Sequence, residues 1–118
     1  MRSTLDICRL AGLLEGEGTF NTQRYIKSGK PYKYPRIQLS TTDQDVAQWA
    51  AGILGTNVKG PYGPYSQKGR KPVWVCTVIG NVAAGWMMTL YMLLGARRKQ
   101  QIASVLKWWK AQGVEKEL

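Results

Sequence analysis

The sequence contains no histidine, only two cysteines, and seven acidic residues against seventeen lysines and arginines. Without histidine there can be no Ser–His or Cys–His dyad. Two cysteines are too few for a zinc cluster. Cys8 and Cys76 both fall in apolar runs and are expected to be reduced core residues. No apolar run approaches the ~18 residues that a membrane span requires. The longest such stretch, Ala83 to Leu94, is of helix-core length. The N-terminus shows no charged region leading into a long apolar one, so no signal peptide is expected.

What is present is a globular composition. With 118 residues and 44% hydrophobic content, the chain reads as one domain, 1–118, with a modest core. The net charge of +10 favours a polyanionic partner, and aromatic residues lie among the charges. A nuclease of this composition would have to use carboxylates, a metal and cations.

One stretch stands out: Leu10 to Phe20, Leu-Ala-Gly-Leu-Leu-Glu-Gly-Glu-Gly-Thr-Phe. Its first half belongs to a predicted helix that Ser3 or Thr4 can cap, with Asp6 near the positive end of the helix dipole. Leu5, Cys8, Leu10, Ala11, Leu13 and Leu14 make that helix apolar on most faces, which predicts burial. Gly12 and Gly16 share a face and leave the backbone bare there, at a cost of about 1 kcal/mol each against alanine. Close approach of another backbone is the expected reason. Gly16 and Gly18 then allow a sharp exit into Thr19 and Phe20. Glu17, held between those glycines, is poorly placed for mere solubility. Glu15 is expected to project from the helix end toward a backbone N–H or a cation.

Further along, Thr19 to about Lys27 and Tyr32 to Ser40 read as two strands joined by a turn at Ser28-Gly29-Lys30-Pro31. Phe20, Thr22, Ile26, Ile37 and Leu39 take the apolar parity, with Arg24 the exception. Asn21, Gln23, Tyr25, Lys27, Tyr32, Tyr34, Arg36 and Gln38 take the other parity. Ordinary wet sheet faces mix in acids, yet Thr19 to Thr42 contains none. Amides and arginines read base edges in the major groove, which admits a two-stranded ribbon.

Thr41 or Thr42 is expected to cap a helix with a stripe of Val46, Trp49, Ala50, Ile53 and Leu54, ended by Gly55. An irregular strand runs from Asn57 to about Ser66 and carries Lys59. The basic turn that follows holds Lys68, Arg70 and Lys71, expected to meet phosphates. Val73 to Ile79 is the next strand. Trp74, Cys76 and Val78 are placed inward, with Val73, Val75 and Thr77 on the open face; a strand apolar on both parities also fits full burial. Asn81 is expected to cap a helix to Leu94, ended by Gly95. A last helix carries Ile102, Val105, Leu106 and Trp109, and Val114 to Leu118 reads as a frayed tail.

The stretch Leu10 to Gly18 resembles the signature of the LAGLIDADG homing endonucleases. Leu10, Ala11, Gly12, Leu13 and Gly18 match it; Leu14 replaces an Ile, Glu15 an Asp, Gly16 a small residue, and Glu17 stands where the family has its acid. The order of elements resembles that core along nearly the whole chain. The resemblance implies an α+β, αββαββα fold: one antiparallel four-stranded sheet with helices on one face and a DNA-straddling saddle on the other. It implies a homodimer joined through Leu10, Ala11, Gly12, Leu13 and Gly16. It also implies a divalent metal, Mg²⁺, at Glu17 and the Gly16 carbonyl, and an active-site cation at Arg98, with Arg97 one residue off. On this reading Val75, Thr77 and Lys59 join the DNA-binding face. The family's frequent Gln-Lys after the second strand is replaced here by Thr41-Thr42.

The implied function is that of a site-specific double-strand DNA endonuclease, cutting a long pseudo-palindromic site. Its gene would be a mobile one, within an intron, within an intein or free-standing, and the protein would lie in a bacterial, phage-infected or organellar cytoplasm rather than a membrane. The alternatives are a cleavage-inactive DNA-binding protein, or an intron RNA maturase on the same fold, in which Tyr25, Tyr32, Tyr34, Tyr62 and Tyr65 would stack on unpaired bases.

Overall fold

A computed structural model of the chain describes residues 3–63 and 71–117. The elements are α1 (Thr4–Glu17), β1 (Gly18–Lys27), β2 (Lys30–Thr41), α2 (Gln44–Leu54), β3 (Val58–Tyr62), β4 (Val73–Ile79), α3 (Gly80–Leu90), a 3₁₀ turn (Tyr91–Leu93) and α4 (Ala96–Glu117). This is the expected order of helix, two strands, helix, two strands and then two helices, with the first of those ending at Leu90 and passing into the 3₁₀ turn. The expected strand residues 64–66 and the basic turn with Lys68 and Arg70 lie outside the described residues; Lys71 is exposed.

The strands form one antiparallel sheet in the order β1-β2-β4-β3. β1 and β2 are joined by two residues only, Ser28 and Gly29, both at positive φ (54° and 76°). That geometry matches the twist of the flanking strands. It starts β2 at Lys30 rather than Tyr32. Pro35 is tolerated inside β2 because β4 pairs only with Arg36 to Thr41, so the β4-facing edge of β2 is free at Pro35. Beyond that point β1 and β2 continue as a two-stranded ribbon.

Alternation along the strands puts Phe20, Ile37, Leu39, Cys76 and Val78 against the helices, all at most 5% exposed. Leu10 and Leu14 of α1, Met87 and Leu90 of α3, and Ile102 of α4 complete a single core. Truncating Leu14 to alanine there would cost about 2–5 kcal/mol.

Helix ends explain most differences from the sequence reading. Ser3 caps α1 in a reciprocal box with Asp6. α2 is capped by Asp43, whose Oδ1 accepts the Asp45 and Val46 N–H groups, and not by Thr41 or Thr42. Thr41 is buried instead, its hydroxyl accepting the Asp43 N–H. α3 begins at Gly80 without any side-chain cap, so Asn81 lies inside the helix rather than ahead of it. α4 runs to Glu117, where a frayed tail was expected.

Helix α1 is covered on one side only. Leu10, Ala11 and Leu14 are buried, while Leu5 is 81% exposed and Cys8, Gly12 and Gly16 are exposed too. Cys8 is therefore not a core residue: at 100° per residue it lies on the far side of α1 from Leu10. Cys76 is buried, and burial pushes its thiol pKa up to about 11. A thiol reagent at neutral pH is accordingly expected to label Cys8 promptly in dilute native protein and Cys76 only on unfolding. Equal labelling rates would contradict this placement. No helix among the described residues is long and apolar enough to cross a membrane.

Candidate nucleic-acid interface and acidic centre

Register alone assembles the open sheet face. Across β1 and β2, Thr19 faces Gln38, Asn21 faces Arg36, Gln23 faces Tyr34, Tyr25 faces Tyr32 and Lys27 faces Lys30. Across β2 and β4, Gln38 faces Thr77 and Ser40 faces Val75, which in turn faces Lys59 of β3. Every sheet residue named from the sequence for this role falls on this one face. Thr19, Lys30 and Ser40 belong to it as well. Lys30 is missed by a four-residue turn; a two-residue Ser-Gly connection, read as such, would have extended the alternation to it.

Three contacts stiffen the face. Arg36 Nε donates to Asn21 Oδ1 at 3.0 Å, which orients the guanidinium and leaves its terminal nitrogens without a partner among the described residues. At the ribbon, the Tyr25 ring lies 5.3 Å from that of Tyr32 and 5.1 Å from that of Tyr34. Such ring pairs are worth about 0.5–1.5 kcal/mol each.

The acidic centre is built at the end of α1. Gly18 is the hinge between helix and strand. A Cβ there would lie 2.7 Å from the Leu14 carbonyl oxygen and 2.9 Å from Leu14 Cα, so only glycine permits the turn that aims Glu17. Glu17 is exposed, and among the described residues no hydrogen bond or ion pair engages its carboxylate.

Glu15 is held, in contrast. Its Oε1 accepts the Gly95 N–H at 3.1 Å, at the start of α4. Arg98, from the first turn of α4, donates Nε to the Glu15 backbone carbonyl at 3.1 Å, and that nitrogen lies 4.0 Å from Glu15 Oε2. The two helix ends thus cap each other. A cation meets the carbonyl end of α1, which has no basic residue in its own last turn, and a carboxylate meets the N–H end of α4. A Cβ at Gly95 would crowd the Glu15 carboxylate, so a side chain there would displace Glu15 from this joint. Arg98 is only 13% exposed in its side chain and is tied further to Gln101 Oε1; Arg97 beside it is exposed.

The structure divides the residues assigned from sequence to the helix–helix face. Leu10 (0% exposed) and Ala11 (2%) point into the chain's own core and cannot also face a neighbour. Leu13 is half-buried against that core. Gly12 and Gly16 remain, with Leu5 and Cys8, and a Cβ built at either glycine meets nothing within 4 Å. Within one chain, then, nothing explains these two glycines.

Among the described residues no three acids or cysteines cluster to hold a metal. One chain offers the Glu17 carboxylate and the carbonyl of Gly16. These are oxygen donors, as a hard divalent cation requires, but they make only part of a coordination shell.

No protein-family model matches the sequence, and no curated protein matches it. Solved structures do resemble it. The group I intron-encoded homing endonuclease I-CeuI, complexed with DNA, superposes with a TM-score of 0.73 at 12% identity, covering 98% of this chain and 58% of its own. The homing endonuclease I-CvuI, in complex with a DNA target and magnesium with the DNA not cleaved, gives 0.65 at 17% identity over 86% of this chain and 64% of its own. The LAGLIDADG homing endonuclease I-GzeII, with its DNA target, gives 0.63 at 11% identity over 90% of this chain and 36% of its own. The chain therefore spans between about a third and two thirds of these proteins' lengths. At such identities the likeness is one of fold.

Proposed function

We propose that this chain, which has the fold of the LAGLIDADG homing endonucleases, is one half of a homodimeric, metal-dependent double-strand DNA endonuclease. The observation that carries the proposal is the free Glu17 carboxylate at the end of a helix whose outer face is bare. Two copies joined along Gly12 and Gly16 would bring two such carboxylates near one axis, one for each DNA strand. The acid-free polar sheet face of each copy supports the same reading, because it suits one half of a near-palindromic site.

The oxygen donors present suit a hard divalent cation such as Mg²⁺, which the Glu17 carboxylate and the Gly16 carbonyl of each copy would hold together with phosphate oxygens. If bound there, it would supply acidification of a water and neutralisation of charge on the phosphate. The chain's own residues do the rest. Gly18 fixes the direction of Glu17. Arg98, anchored on the Glu15 carbonyl, and exposed Arg97 supply positive charge beside the scissile phosphate. Thr41, buried and bonded to Asp43, is not free to order a water, which leaves that task to Thr42 or to solvent. Asn21, Gln23, Arg36 and Gln38 read base edges. Lys27, Lys30, Lys59 and Lys71 meet phosphates, as would Lys68 and Arg70.

Incubation with a randomised duplex library and Mg²⁺, followed by sequencing of cut ends, tests the proposal; a library left uncut at every salt concentration would refute it. For readout, Gln38→Ala is expected to relax preference at one or two base pairs per half-site by about 1–3 kcal/mol each. Lys71→Ala should weaken all duplexes alike and lower the salt slope by about one unit. Uniform loss on all sequences for Gln38→Ala would rule out direct readout by that residue.

A further inference from the structure

On the helix side of the β1–β2 ribbon lies a groove of about 530 Å³ that the proposed activity does not use. It is lined by Arg24, Lys33, Trp108, Trp109 and Gln112, with Pro31 and Tyr32 completing the wall. The volume falls within the roughly 300–1,000 Å³ of ligand clefts.

Three features separate it from ordinary packing of a helix on a ribbon. First, Arg24 and Lys33 are direct cross-strand partners on the same face. Like charges placed opposite one another destabilise a strand pair. They also interrupt the apolar parity that Phe20 and Ile37 begin, and no acid lies anywhere from residue 19 to residue 42 to offset them. Second, Lys33 Nζ sits 4.9 Å from the centre of the Trp108 ring, so a cation and an aromatic face are already side by side. Third, the two indoles are adjacent, 6.3 Å apart, and only half-buried, where core tryptophans would be covered. The part of α4 that carries them, residues 96–112, holds five cations and no acid.

Indole faces stack on any exposed base, while paired cations hold a backbone phosphate. We propose that this groove binds an unpaired stretch of nucleic acid, with a base against Trp108 or Trp109 and a phosphate between Arg24 and Lys33. Duplex DNA cannot enter, because its bases are already stacked. Arg24 and Lys33 point to the opposite side of the ribbon from the open face, and of the lining residues Tyr32 borders both, so the two sites can be filled together. A single strand at this site relieves the repulsion between Arg24 and Lys33. The source is either RNA or a locally melted DNA strand, since stacking and phosphate contact are common to both.

The test uses the full chain with fluorescein-labelled oligonucleotides of about 12 nucleotides, oligo-dT and oligo-U, read by anisotropy. An unlabelled duplex is added to saturation to occupy the open sheet face. The labelled strand is expected to remain bound under duplex saturation. Arg24→Gln with Lys33→Gln should weaken it by about tenfold or more, with duplex affinity changed less than about twofold. Trp108→Ala should act likewise and Trp108→Phe should restore binding, with circular dichroism melts confirming that each variant is folded. A preference for oligo-U of about tenfold assigns RNA as the ligand, and the reverse preference assigns single-stranded DNA. Complete displacement of the oligonucleotide by duplex, or an Arg24→Gln/Lys33→Gln protein that binds it as before, would overturn the proposal. Neither result depends on cleavage, so failure here is separable from failure of the nuclease reading.

Discussion

Glu17→Gln protein is expected to bind duplex DNA normally in Ca²⁺ and to leave it uncut in Mg²⁺. The change keeps the size and polarity of the side chain and removes the one charge that could hold a hard cation at the end of α1. Because Glu17 is exposed and bonds to nothing among the described residues, its replacement should leave the fold and melting temperature unaltered. The rate of cleavage should fall by about a thousandfold or more, the upper range for removing one group that serves transition-state charge. Glu15→Gln provides the contrast. Its Oε1 can still accept the Gly95 N–H, so cleavage should persist at a reduced level while the joint between α1 and α4 loosens. Substantial cutting by purified Glu17→Gln, or equal loss in the two variants, would remove Glu17 from the centre of the reaction.

The second large effect is expected from Gly12→Leu, and it runs in opposite directions for the single chain and the dimer. In one chain a Cβ at Gly12 meets nothing within 4 Å. Leucine is a better helix former than glycine by about 0.8 kcal/mol, so the isolated subunit should hold or gain stability. Across a two-fold axis the new side chain would stand where two backbones meet. Overpacking costs about 1–3 kcal/mol, and symmetry applies it from both sides. Sedimentation at micromolar concentration should therefore show a monomer for Gly12→Leu and a dimer for the parent chain. Double-strand cleavage should stop, with only modest harm to duplex binding at low salt. Cys8, on the same bare face, gives an independent readout: its labelling should slow with rising concentration in the parent chain and become independent of concentration in Gly12→Leu. A Gly12→Leu protein that still dimerises and cuts both strands would place the interface elsewhere.

The sequence by itself determined the order of elements and the chemistry of the open face of β1 and β2; the joining of all four strands in one sheet was implied by the resemblance of its motif and element order. Strand alternation has a period of two, so each side chain's face follows from its neighbours, and Asn21, Gln23, Arg36 and Gln38 could be placed from parity alone, whereas Val75 and Thr77, in a strand apolar on both parities, were settled by the register of β4 on β2. It also singled out Glu17, because an acid between glycines at a helix end is a local pattern, and it anticipated that Glu15 would meet a backbone N–H or a cation. Helix α1 was harder. An apolar residue every one or two positions says that most faces are covered, but not by what. Only the packed structure showed that Leu10 and Ala11 face the chain's own sheet while Cys8, Gly12 and Gly16 face outward. Helix caps were similarly undecided, since Thr41, Thr42 and Asp43 can all accept an N–H; the course of β2 buried Thr41 and left Asp43 at the helix start. The joint of Glu15 with Gly95 and Arg98, and the groove of Arg24, Lys33 and the two tryptophans, join residues eighty or so positions apart. No local periodicity encodes such a meeting. It is fixed by where α4 crosses the ribbon, which only the shared burial of Phe20, Ile37, Ile102 and Val105 decides.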